Sequence, residues 1–248
     1  MFRFIAACAV ALACLSPAAA QPNRVALVIG NGDYQHAPAV KTSEHDAADL
    51  GAALARMGFS VTSLSNASNE AMDRALTAFG QTAKSADIAL VFYAGHAIQT
   101  GGDAWLIPVD ARTDSLLAIR SSAFRLDRVT AAVAGAAKFG VVLIDAARND
   151  PFPAGKTQDK PKLLVVESEP QPKDILVAFA TASGQKTVEA KGRNSAFTAA
   201  LLAHIETPGQ DIVQLMRRVR NDVLAATGGK QIPFSHATLS GDQFLTPR

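Results

Sequence analysis

Three short peptides carry the side chains from which chemistry could be built. They are Gly30-Asn31-Gly32-Asp33-Tyr34, Ala94-Gly95-His96-Ala97 and Asp145-Ala146-Ala147-Arg148-Asn149-Asp150. Each follows an apolar, β-branched run of the kind that makes a buried strand, and in open parallel sheets sites form beyond the carboxyl ends of the strands. The first peptide holds a G-x-G pair, but Gln35 stands where a dinucleotide-binding loop needs its third glycine. There is no P-loop lysine and no G-x-S-x-G elbow to expose a serine. The five histidines show no metal-ligand spacing, so zinc hydrolysis and a metal site are not expected. His96 is the best acid–base candidate, because Gly95 before it lets a backbone N–H approach a substrate oxygen. A histidine at a strand end is more often structural than catalytic. Position 147, at the end of another apolar run 51 residues further on, shifts that balance.

The elements that must position these peptides are readable from hydrophobic periodicity. Val25–Ile29, Phe59–Leu64, Ile88–Tyr93, Val141–Ile144 and Ile175–Ala180 read as strands, apolar on both faces. Between and after them lie helical patterns at Asp46–Met57, Asn69–Lys84 (N-capped by Ser68), Leu126–Ala137, Ala196–Ile205 and Ile212–Ala226. In the last, Ile212, Leu215, Met216, Val219 and Val223 form one apolar face, which reads as core. The alternation predicts a parallel α/β sheet with helices on both faces. Ala97–Leu106 reads as a hairpin turning at Thr100-Gly101-Gly102-Asp103. Pro151–Lys173, with five prolines and four lysines, reads as a long loop. It divides the domain into a larger first part (24–150) and a smaller second part (174–248).

Caspases carry Q-A-C-[RQG]-G with a histidine about 50 residues upstream of the cysteine. Here Ala146 and Arg148 bracket position 147 as that signature's alanine and arginine bracket its cysteine. On these residues the chain resembles the caspase and metacaspase group of cysteine peptidases, particularly the bacterial metacaspase-like proteins (orthocaspases). The resemblance runs from Arg24 to Phe244 and is also carried by Arg24–Asn31, Tyr93-Ala94-Gly95-His96, Leu143–Asn149, Ala180-Thr181-Ala182, Gly192–Thr198 and the Thr238-Leu239 to Phe244 tail. It implies the caspase-like (caspase-hemoglobinase) three-layer sandwich. It implies a thiolate at position 147 attacking the scissile carbonyl, with His96 as general base and then acid. The oxyanion region would be formed at Gly95 and Ala97, with the N–H of position 147. Asp46 and Asp145 match the acidic pocket that prefers Arg or Lys before the cut, as two carboxylates would. For Asp46 a first-turn acid satisfying the helix dipole is an equal reading. The resemblance also raises calcium, which activates several metacaspases, although no ligand set can be assigned, and it favours a monomer.

Two departures bear on activity. Position 147 is Ala, with no nucleophile, and position 97, usually glycine in this group, is also Ala. No serine lies beside Ala147, and Ser183 and Ser195 belong to the second part. As written the chain cannot form an acyl-enzyme. The expected function is a pseudopeptidase that binds peptides or proteins carrying Arg or Lys. The alternative is an active cysteine endopeptidase cleaving after Arg or Lys, represented here by a Cys-to-Ala form. A more remote alternative is a flavodoxin-like domain binding nucleotide at Gly30–Gly32.

Composition limits the remaining classes. In 248 residues there are 24 basic and 22 acidic side chains, a net charge of +2, which argues against a nucleic-acid binder. With 48% apolar and 19% charged residues a substantial core is expected. Arg3, the apolar Ile5–Leu15 and Ala18-Ala19-Ala20 read as a secretory signal (1–20) cleaved near Ala20. The expected product, 21–248, is one domain, periplasmic or secreted, with no membrane span. Both cysteines, Cys8 and Cys14, lie within the signal, so no thiol remains.

Overall fold

The computed structural model describes residues 23–100, 103–112, 114–147, 173–182, 187–188 and 192–246. The expected signal, Arg148-Asn149-Asp150, the loop up to residue 172, Ser183 and the Gly101-Gly102 turn lie outside the described residues. In chain order the elements are β1 (Arg24–Gly30), α1 (Ser43–Arg56), β2 (Ser60–Ser65), α2 (Asn69–Ala83), β3 (Ile88–Thr100), β4 (Asp103–Leu106), α3 (Leu116–Ser122), β5 (Phe124–Arg125), α4 (Leu126–Val133), β6 (Phe139–Ala147), β7 (Ile175–Phe179), α5 (Ala196–His204), α6 (Ile212–Thr227) and β8 (Phe234–Ala237).

The central sheet runs β2-β1-β3-β6-β7-β8, parallel through β7 and closed by antiparallel β8. Strands β1 and β7 are buried at every position, as their unbroken apolar runs require. The edge strand β2 instead spends four of its six residues on Ser and Thr and is mostly exposed, which blunts an edge that would otherwise pair. Helices α1, α5 and α6 cover one face, packing on Val28, Leu90, Phe92 and Leu143, while α2 and α4 cover the other, on Leu27, Ile29, Val91 and Val142. Each fully buried Leu, Ile or Phe in these layers contributes about 1.5–3 kcal/mol. The result is a mixed α/β fold, a mostly parallel sheet flanked by helices.

Local signals set the helix ends. Ser68 accepts the Ala71 N–H at the start of α2. Asp211 accepts from Val213 and Gln214 at the start of α6, which ends on left-handed Gly228. Helix α1 lies so close to β1 that a Cβ on Gly30 would sit 2.5 Å from the Ser43 carbonyl oxygen and 2.7 Å from the Ala47 Cβ.

The five expected strands and five expected helices are present, with shifted ends. Strand β3 does not stop at Tyr93 but continues through His96 into the β4 hairpin. The short β5, β8 and α3 give no periodic signal long enough to read, and α4 stops at Val133 rather than Ala137.

Candidate active site

The site begins where β3 and β6 run side by side. Their register pairs Ala94 with Asp145, Gly95 with Ala146 and His96 with Ala147. His96 and position 147 are therefore neighbours across one parallel step of about 4.8 Å. On its other flank β3 pairs antiparallel with β4. Ile107 N–H donates to the His96 carbonyl oxygen at 3.1 Å, which makes His96 opposite Ile107 a hydrogen-bonding rung. The next rung, Ala97 opposite Leu106, is then a non-bonded pair, and the Ala97 N–H turns away from β4. Ala97 is itself buried.

His96 is 3% exposed. Its Nε2 lies 2.7 Å from the Pro38 carbonyl oxygen. A carbonyl can only accept, so Nε2 carries a proton, and in a neutral ring Nδ1 is then the acceptor nitrogen. The loop that brings Pro38 there is tied down by Gln35 N–H to the Val109 oxygen (2.8 Å) and Val40 N–H to the Gly32 oxygen (3.0 Å). Tyr34, from the same loop, packs its ring 4.6 Å from the His96 ring. Burial pushes the Tyr34 phenol up to about 12, so it acts as a neutral hydrogen-bonding group.

The first glycine peptide is used differently from a phosphate cradle. Asn66, held at φ +50°, accepts the Gly32 N–H at 2.8 Å and the Asp33 N–H at 2.9 Å. Asn31, fully buried, accepts the Ala67 N–H and donates to the Ile107 oxygen. The donors that would face a phosphate are thus engaged with the chain's own side chains.

The two candidate carboxylates meet through one residue. Ser195 caps α5, accepting the Thr198 N–H at 2.9 Å. Its hydroxyl donates to Asp145 Oδ2, and its backbone N–H donates to Asp46 Oδ1 at 2.9 Å. Thr198 donates a second hydroxyl to Asp145 Oδ2 at 2.7 Å. Asp46 from α1, Asp145 from β6 and the start of α5 so form one buried acidic cluster, two residues along β6 from position 147. Burial raises the Asp46 carboxyl to about 7, and the nearby Asp145 charge adds to the rise. The Ser195 N–H, Thr42 and Asn194 oppose it. Asp145 is also raised by burial, against the opposing bonds of Ser195 and Thr198. A guanidinium or ammonium brought against such a cluster would restore full charge to both carboxylates. Beside it, Arg193 and Asn194 both bond Asp49 on α1, tying the second part of the chain to the first.

The structure brings His96, position 147, Gly95, Ala97, Asp46 and Asp145 to one end of the sheet. Beside them lie Tyr34, Tyr93, the Pro38 carbonyl and Ser195, to which sequence reading gave no role of their own at the site. Ser195, which sequence reading placed in the second part and away from Ala147, is committed to its cap and to Asp145. The Ser195 cap and the Gly-Asn-Gly-Asp-Tyr peptide were the available signals, but their partners lie 50 to 149 residues away. Among the described residues no three His, Cys, Asp or Glu side chains come together as a metal site. No helix among them is long and apolar enough to cross a membrane.

The peptidase family described as caspase domain matches residues 23–244. Over 103 residues, 40% of this chain, it is 30% identical to the human mucosa-associated lymphoid tissue lymphoma translocation protein 1, and a similar stretch matches the Mus musculus homolog equally. The matched stretch is 12% of those relatives' length. Among solved structures, caspase-1 from Spodoptera frugiperda superposes with a TM-score of 0.64 at 21% identity, over 91% of this chain and 90% of that one.

Proposed function

This chain belongs to the caspase-domain family of cysteine peptidases, and from that premise we propose that it is an exported, catalytically silent member that binds peptides through an Arg or Lys side chain. The observation that carries the reading is the Asp46–Ser195–Asp145 cluster beside an alanine at the nucleophile position. Two buried carboxylates bound by the Ser195 and Thr198 hydroxyls and the Ser195 N–H favour a cation over a neutral or acidic side chain. Alanine at 147 provides no atom to attack a carbonyl. The second alanine, at 97, favours natural loss, because a change introduced only at the nucleophile would leave glycine there.

The alternative, a cysteine endopeptidase cleaving after Arg or Lys whose nucleophile has been replaced, is favoured by the intact histidine. His96 keeps Nε2 on the Pro38 carbonyl and so presents the tautomer a thiol would require of its base. The genomic codon at position 147 separates the two readings. An alanine codon supports the silent member, and a cysteine codon supports the peptidase.

The biochemical test compares the chain from Gln21 onward with its Ala147→Cys variant on reporters carrying Arg, Lys or Asp before the cut. The expected result is silence from the alanine chain and cleavage after Arg or Lys, not Asp, by the cysteine form. Cleavage by the alanine chain would overturn catalytic silence, and cleavage after Asp would overturn the basic preference.

A further inference from the structure

The loop after β1 does more than supply the Pro38 carbonyl. Its Tyr34 and the fully buried Tyr93 are inserted into the β3–β4 ladder at His96. A regular rung would join the His96 N–H to the Ile107 oxygen. Instead the His96 N–H donates to Tyr34 Oη at 2.7 Å, and the Ile107 oxygen is served by Tyr93 Oη at 2.9 Å. The two phenol oxygens are 3.1 Å apart.

Counting protons fixes the direction of this chain of bonds. Tyr93 has one proton, shared between the carbonyl oxygens of His96 (2.7 Å) and Ile107, and its oxygen accepts the Ile107 N–H at 3.2 Å. Tyr93 therefore has no proton to give Tyr34. Tyr34 must donate to Tyr93 and accept from His96. Glycine at 95 is a condition of this arrangement, since a Cβ there would lie 2.4 Å from Tyr34 Oη and 2.7 Å from Tyr93 Oη. Both hydroxyls thus bond the backbone of His96, that of Tyr93 also bonds Ile107, and the Tyr34 ring flanks the His96 imidazole.

We propose that Tyr34 is a positioning residue for His96, fixing its backbone N–H and ring face so that the imidazole stays aligned between the Pro38 carbonyl and position 147. The inference rests on His96 being the acid–base residue of the site. Tyr34→Phe keeps the ring and the packing and removes only the acceptor of the His96 N–H and the donor to Tyr93.

Two readings of that variant test the inference. In the Ala147 protein, isotope-labelled NMR follows the His96 amide and its ring nitrogens through a pH titration. Tyr34→Phe is expected to move the His96 amide proton upfield and to shift the ring's titration midpoint, with the remaining amides and the melting temperature nearly unchanged. In the Ala147→Cys background, Tyr34→Phe is expected to lower kcat about tenfold, the effect of one lost buried hydrogen bond, while KM stays within about twofold. An unchanged His96 amide and ring titration overturns the inference whether or not the cysteine form cleaves. So does an unchanged kcat in a cysteine form that cleaves. If the cysteine form cleaves nothing while the His96 signals move as expected, the positioning role stands and the catalytic reading of the site has failed.

Discussion

Asp46 is where residue chemistry is most exposed to test. Its carboxyl is raised from 3.8 to about 7 by burial and by Asp145, so the folded chain holds a proton that the unfolded chain has already released. Stability from this group is therefore largest below pH 4 and falls as pH rises from about 4 to about 7, where the folded carboxylate finally charges. Asp46→Asn is predicted to remove that slope, measured as melting temperature against pH. Binding runs the opposite way, because a guanidinium needs the charged form. An arginine peptide is predicted to bind about tenfold more weakly at pH 6 than at pH 8, and Asp46→Asn to flatten that dependence in a fluorescence-polarisation titration. Asp46 and Asp145 were legible through the family resemblance, while composition and spacing alone left Asp46 equally a helix-dipole acid. Ser195 as the bridge between them was not legible, because its bonds to Asp46 and Asp145 span 149 and 50 residues.

Elements carry these residues, and their close approaches can be tested one atom at a time. Gly30→Ala places a methyl group against the Ser43 carbonyl oxygen and the Ala47 Cβ, so α1 must move and Asp46 with it. The predicted cost is about 1–3 kcal/mol in chemical denaturation, accompanied by weaker arginine-peptide binding. Ser195→Ala removes the α5 cap and the hydroxyl on Asp145 together, with a predicted loss of about 0.5–2 kcal/mol by the same measurement. The long amphipathic or buried elements could be read from periodicity: α6 shows its apolar stripe in Ile212, Leu215, Met216, Val219 and Val223, all buried. The unbroken join of β3 to its hairpin through Ala94, Gly95 and His96 could not, because pairing with β6 and two phenols sustain it rather than any repeating pattern. Likewise β8 is four residues long, mostly exposed, and defined by its partner β7.

The whole molecule is held by a core that ignores the division of the chain. One cluster joins Leu50 and Leu54 of α1, Phe92 of β3 and Leu143 of β6 to Phe197, Leu201, Leu215 and Val219 of the second part. A specific protease site inserted between residues 151 and 172 is therefore predicted to give, after cutting, one particle rather than two in size-exclusion chromatography. The parallel α/β architecture and the end of the sheet that bears the site were legible because alternating buried strands and helices leave few topologies. How the loop after β1 folds back on His96 was not, since irregular backbone has no period to read. The central claim is recognition of a basic side chain without cleavage. Calorimetric titration of the Ala147 chain with two peptides differing only in Arg or Gln at one position tests it most directly. The account predicts that the Arg peptide binds at least about tenfold more tightly, remains uncut, and loses its advantage in Asp145→Asn. Equal binding of the two peptides, or an Arg preference that survives both Asp46→Asn and Asp145→Asn, would contradict it.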